Sequence, residues 1–180
     1  MRILPFGDAF TIESVKHEDH RGHLSQCYDE QIFAVHGLNT QWKSQIQTVT
    51  RGCGVVRGMH WQAKPHEQIK LVRCVVGMVM DVIVDVRADS PNFGKYQTIE
   101  LSGDEPKSLY IPAGFAHGFQ CISEWCMIHY MLSDIYDRRT ARSFYCEDPV
   151  VGIKWPLPVM KLSDQDASAP ILADVVHAAH

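Results

Sequence analysis

What most constrains this chain is its punctuation. Between residues 46 and 132 it breaks into short runs of strand-forming residues, near 46–50, 54–62, 69–76, 78–86, 96–101, 108–111, 117–122 and 126–132. Turn-formers separate them: Arg51-Gly52, Lys64-Pro65, Gly77, Ser90-Pro91-Asn92, Ser102-Gly103-Asp104 and Pro112-Ala113-Gly114. The run Met78 to Val86 is the clearest. Met80, Val82, Val84 and Val86 make one wholly apolar face, and Asp81 and Asp85 share the other with Ile83. No helical pattern lies between the runs, so the reading is all-β, an antiparallel sandwich or barrel. A length of 180 residues suits one such domain, 1–180, and leaves little room for a second.

Beyond the strands the character changes. Trp155-Pro156-Leu157-Pro158 reads as a rigid extended linker. In Leu162-Ser163-Asp164-Gln165-Asp166, Ser163 or Asp164 offers a helix cap, with capping the expected role of Asp164. Short helical segments are expected near 164–168 and after Pro170, with a frayed tail over 173–180 that holds His177 and His180.

Charge and cysteines narrow the function classes. A formal net charge of −4 argues against a nucleic-acid-binding protein, and no apolar run is long enough to span a membrane. The N-terminus MRILPFGDAF lacks a basic region followed by an apolar stretch. The six cysteines form no C-x-x-C pair, so they are expected to be reduced, mostly buried thiols of a cytoplasmic protein. Of ten histidines, His17, His20, His23 and His36 sit in polar, loop-like surroundings and read as surface residues.

Three segments can carry chemistry: Arg57-Gly58-Met59-His60-Trp61-Gln62 with His66 and Lys70; Pro112-Ala113-Gly114-Phe115-Ala116-His117; and Tyr130 with Tyr136, followed far downstream by Asp166. The second has the Pro-x-Gly-x-x-His form of the second cupin motif, and the first resembles a degraded first cupin motif. Metal-binding cupins carry a second histidine two residues after the first. Here that place is held by Gln62, a poor ligand, so no metal is assigned, although His66, Glu67 and His117 could rebuild a site with His60. The same residues serve as acid–base groups. An imidazole titrates near neutrality, a carboxylate on its second nitrogen fixes the tautomer, and an ammonium steadies an oxyanion. Arg57 and Arg21 suit phosphates. Arg57 and His60 have opposite strand parity, so both reach one cavity only if the strand bulges, most simply at Gly58. On pattern alone, Tyr130 is equally a half-buried sheet aromatic, and Lys70 reads as a solvated lysine.

Val55 to Gln62, Lys70-Leu71-Val72-Arg73, Gly77 to Asp85, Asp89-Ser90-Pro91, Phe93-Gly94, Ile111 to Phe119, Asp148-Pro149, Gly152 to Pro156 and Leu162 to Asp166 together resemble the dTDP-4-dehydrorhamnose 3,5-epimerases, a cupin family. The resemblance runs from about Arg21 to Asp166. It implies a homodimeric cupin-type double-stranded β-helix (jelly roll) that needs no cofactor. It also implies epimerisation at C3 and/or C5, beside the ketone of a nucleotide-linked 4-keto-6-deoxy sugar, in deoxysugar biosynthesis. In that family's terms His60 is the base, Asp166 its dyad partner, Tyr130 the opposite-face acid and Lys70 the enolate-stabilising lysine. Arg57 and His117 bind substrate, Arg21 approaches the diphosphate, and Tyr136 stacks on the nucleotide base.

Several positions depart from the family pattern. Gln26 stands where a glutamate is usual, Gln45 and Gln47 occupy a Gln-x-Asn-x-Ser stretch whose last position is Val49, and Met131 replaces a lysine. Ala141, beside Arg142, replaces a glutamate, and Gln165 replaces a lysine. Gln26, Gln45 and Gln47 are therefore candidate substrate-reading residues. The nucleotide, the sugar and one inversion against two stay open at this point. A metal-dependent cupin oxygenase or isomerase and a non-catalytic sugar-nucleotide-binding cupin are the rivals.

Overall fold

The computed structural model describes residues 1–177, with side chains through Val175. The strands are β1 (Arg2–Phe6), β2 (Ala9–Glu13), β3 (His17–Asp19), β4 (Gly22–Leu24), β5 (Ser44–Arg51), β6 (Val56–Gln62), β7 (Lys70–Val76), β8 (Met78–Asp85), β9 (Tyr96–Ser102), β10 (Lys107–Ile111), β11 (Phe115–Cys121), β12 (Trp125–Leu132) and β13 (Ala141–Ser143). Helices α1 (Glu30–Val35), α2 (Asp164–Ala167) and α3 (Leu172–His177) complete the order. A six-stranded sheet runs β1-β2-β10-β7-β12-β5 and a five-stranded sheet runs β13-β6-β11-β8-β9; β3 and β4 form a separate hairpin. Adjacent strands pair antiparallel throughout both sheets, the jelly-roll sandwich expected from the pattern of short runs.

Alternation decides what each face buries. Val72, Cys74, Leu109, Ile128 and Tyr130 of the large sheet meet Val79, Ile83, Phe115 and Phe119 of the small one in the central core. The apolar even face of β8 points the other way. Val82 and Val84 pack with Met59, Phe144, Cys146, Ile153 and Leu172, so the C-terminal third of the chain blankets the outer face of the small sheet. The interior therefore receives the acid-bearing face of β8, and Asp81 is completely buried.

Trp155–Pro158 does more than link. Trp155 Nε1 donates to Cys146 O at 2.9 Å, and the Gln120 amide pairs with both the N–H and the carbonyl of Leu157 at 3.0 and 2.9 Å. A parallel bridge from Lys161 to Val55 then lays the chain along the start of β6. Ser163, rather than Asp164, caps α2, its Oγ accepting from Asp166 N at 3.1 Å. The frayed tail expected from 173 is instead helical through residue 177; positions 178–180 lie outside the described residues.

The N-terminal third carries elements the sequence reading did not include: β1 to β4, and α1, capped by Asp29 accepting from Ile32 N at 3.0 Å. Phe33 of α1 is buried with Ile12, Leu71 and Tyr110 on the outer face of the large sheet. Cys74, Cys121, Cys126 and Cys146 are buried, Cys27 is half-buried, Cys53 is exposed, and all six are free thiols. Among the described residues no helix is long and apolar enough to cross a membrane.

Candidate active site

A cavity that gathers the candidate catalytic residues opens between the sheets, where β6 and β11 face β5, β7 and β12. It measures about 590 Å³ and is lined by Arg57, His60, Lys70, His117, Tyr130, Tyr136 and Asp166, with Ser44, Ile46 and Thr48 of β5. That volume is in the range of small-molecule sites. A larger cavity of about 840 Å³ also borders Trp61, Gln62 and Arg142; of the candidate residues only Glu67, from the metal alternative, lines it.

The parity conflict on β6 is resolved where expected. His60 lies opposite His117 and Arg57 opposite Phe119, so three steps on β6 match two on β11. This bulge turns both Arg57 and His60 inward. Gly58 has φ +119°, and a Cβ there would sit 2.6 Å from Gly118 Cα and 2.8 Å from His117 O. Only glycine fits, both for its backbone conformation and for the closeness of β11.

His60 Nε2 and Asp166 Oδ1 are 2.6 Å apart, across 106 residues of sequence. Asp166 Oδ2 accepts from Gly58 N at 3.4 Å. Burial pushes the Asp166 carboxyl up, but the hydrogen bond and charge of His60, together with Gly58 N–H and Ser163, outweigh it and hold it below the ordinary range. An ionised carboxylate only accepts. Nε2 therefore carries the proton, leaving Nδ1 as the acceptor nitrogen of the ring.

Lys70 Nζ donates to His60 O at 3.1 Å. Burial pulls its ammonium down to about 8, and the charge of Asp81 partly offsets this. Burial and then the Asp81 charge push the Tyr130 phenol well above its ordinary value, so it stays protonated. The rings of His117 and Tyr130 meet edge to face with centroids 5.9 Å apart. His117 Nε2 lies 3.0 and 2.9 Å from the two Asp81 oxygens, and both side chains are buried. Asp81 is the residue the sequence reading left unassigned. Its signal was legible as an acid inside an otherwise apolar run, but its partner lies 36 residues away.

Arg57 is braced at the mouth, Nε donating to Thr50 Oγ1 at 2.8 Å and Nη2 to Val49 O at 3.1 Å. Tyr136 stands exposed on the rim.

The other expected binding residues lie outside this cavity. Even-numbered residues of β5 face inward, and Tyr130 pairs with Ile46, so Gln45 and Gln47 point to the outer face beside Met131 and His129. Arg21 sits in the β3–β4 turn and is paired with Asp19 at 2.6 Å. Gln26 Nε2 donates to Asp29 Oδ2 at 2.9 Å, bracing the α1 cap. None of these four reaches the cavity of its own chain.

The metal alternative drew on His60, His66, Glu67 and His117. Their imidazoles are directed elsewhere: His60 to Asp166, His117 to Asp81, and His66 to Asp134 at 3.2 Å and Asp137 at 3.5 Å. Among the described residues no group of three or more histidine, cysteine or acidic side chains is arranged to hold a metal ion.

Comparison with known proteins agrees with this architecture. Residues 4–174 match the family described as dTDP-4-dehydrorhamnose 3,5-epimerase. A dTDP-4-dehydrorhamnose 3,5-epimerase of Sinorhizobium fredii is 35% identical over 173 residues, covering 96% of this chain and 89% of that protein. The crystal structure of NovW, a 4-keto-6-deoxy sugar epimerase from the novobiocin gene cluster of Streptomyces spheroides, superposes with a TM-score of 0.94. It is 32% identical, covering 99% of this chain and 91% of that one. ChmJ, a 3'-monoepimerase from Streptomyces bikiniensis solved with dTDP-quinovose, gives a TM-score of 0.89 at 30% identity, covering 99% and 90%. By fold and by sequence over nearly its whole length, the chain belongs to the dTDP-4-dehydrorhamnose 3,5-epimerase family of sugar-nucleotide epimerases.

Proposed function

We propose that the chain epimerises a dTDP-linked 4-keto-6-deoxy sugar at C3, C5 or both, without a cofactor, in deoxysugar biosynthesis. The observation that carries this reading is the 2.6 Å His60–Asp166 pair opening onto the cavity that Lys70 and Tyr130 also line. A proton beside a ketone is acidic because the electron pair it leaves is delocalised onto the oxygen. His60 Nδ1 takes that proton, and Asp166 stabilises the imidazolium. The ketone oxygen gains the charge and Lys70 steadies it. Tyr130 returns a proton from the opposite face and becomes a phenolate. The new C–H bond replaces the one broken, with no net oxidation.

Arg57 takes the diphosphate at the mouth, His117 orients the sugar, and Tyr136 receives the thymine. Arg21 and Gln26 lie away from their own cavity, which supports a homodimer in which the N-terminal region of one protomer serves the pocket of the other. The nearness of relatives described with dTDP-sugars supports dTDP over other nucleotides. A 3'-monoepimerase among them keeps single inversion open beside double inversion.

The test is solvent deuterium wash-in at C3 and C5 of dTDP-4-keto-6-deoxyglucose, followed by NMR. Wild-type protein should exchange, His60→Ala should not, and Tyr130→Phe should exchange with little net inversion. Exchange at the wild-type rate in His60→Ala would overturn the base assignment. No exchange by wild type overturns the reading as a whole.

A further inference from the structure

Gln62 ends β6, two residues beyond His60, and is buried. Its amide is fully engaged. Nε2 donates to His66 O and to Ile135 O, each at 2.8 Å, and Oε1 accepts from Asp137 N at 2.7 Å. Ile135 and Asp137 are the two neighbours of Tyr136, so the amide grips the peptide group on each side of that residue. Tyr136 itself is 68% exposed, and its ring stacks on no other aromatic among the described residues. Its placement on the rim is therefore set by its backbone.

Only an amide of this length fits the task. The site presents two carbonyls that need donors and one N–H that needs an acceptor. A carboxylate would oppose two carbonyl oxygens, and an apolar side chain would leave three part-buried backbone groups without this partner.

We infer that Gln62 is a positioning residue that fixes Tyr136 as a rigid wall for the nucleotide base, anchored to the strand that carries His60 and Arg57. The inference rests on the reading of Tyr136 as the base-receiving aromatic. Held in place, the tyrosine loses little freedom when the base arrives; released, it must be ordered at the moment of binding.

The experiment measures dTDP affinity by calorimetry together with kcat and KM, for wild type, Gln62→Met, Gln62→Asn, Tyr136→Ala and the double variant Gln62→Met/Tyr136→Ala. Gln62→Met should weaken dTDP binding about tenfold and raise KM similarly, with kcat within about twofold. Gln62→Asn, which keeps the amide but falls short of the loop, should show a similar loss and covers the case in which the methionine variant fails to fold. In the double variant, loss of Gln62 should add nothing to the loss of Tyr136. Losses that add, or folded variants that bind dTDP as wild type does, overturn the role of Gln62 while leaving the proposed reaction intact. A wild-type protein that does not bind dTDP overturns the nucleotide reading and this inference with it.

Discussion

Replacing Lys70 by methionine separates what the residue does for the reaction from what it costs the fold. The Lys70 side chain is buried, and burial, only partly offset by Asp81, lowers its pKa from the ordinary 10.5 to about 8. At about 1.4 kcal/mol per tenfold change in proton affinity, keeping the ammonium in the native state costs about 3 kcal/mol near neutrality. The sign follows from proton counts. Below pH 8 both states hold the proton and the full cost is present. Between pH 8 and 10.5 the unfolded chain holds more protons than the native one, so stability rises with pH. Above 10.5 neither state is charged and the cost has gone. Methionine has a similar reach and no charge. Lys70→Met should therefore be more stable than wild type by about 3 kcal/mol at pH 7, seen as a higher urea midpoint at unchanged slope. Its melting temperature should rise by roughly 6–12 °C. The advantage should vanish near pH 10.5. Solvent exchange at the sugar should fall about 10²–10³-fold, the scale of losing one oxyanion stabiliser. A variant less stable than wild type at pH 7, or an advantage that ignores pH, refutes the reasoning.

Three further outcomes follow from the same geometry. Asp81→Asn removes the charge that props up the Lys70 ammonium, so the alkaline fall in activity should move to lower pH; a pH–rate profile that keeps its alkaline limb unchanged would count against the coupling. Asp166→Asn should lower exchange by roughly 10²–10⁴-fold through the wrong His60 tautomer. Because Asp166 titrates below its ordinary 3.8 in the folded state, it supports the fold above that value and the support fades as pH falls further, so the variant should show a flatter acid-denaturation curve. Gly58→Ala places a Cβ against Gly118 and His117 at positive φ; it should cost more than about 1 kcal/mol of stability and displace His60, read as a lower denaturation midpoint together with lost exchange.

Much was legible from local pattern. The spacing of runs and turns announced the sandwich, because a period of two and frequent chain reversals admit few other solutions. The parity of Arg57 and His60 even announced a bulge at Gly58. Other features left weaker traces. Helix α1 is six residues long and draws its stability from packing Phe33 under Tyr110, so its own sequence carries little helical signal. The alternation of β5 was readable, but which half of it faces inward was not, and Gln45 and Gln47 lie on the outer face of the sheet.

Residue order alone therefore determined the all-β class, the strands between residues 46 and 132, and the family. The partnerships are another matter. That Asp166 meets His60, that Asp81 lies buried against His117, and that Gln62 grips the peptides around Tyr136 were decided by packing. Each joins segments far apart along the chain, and periodicity is blind to such distances. The faces that meet are chosen by how two sheets and the C-terminal cover bury apolar surface together.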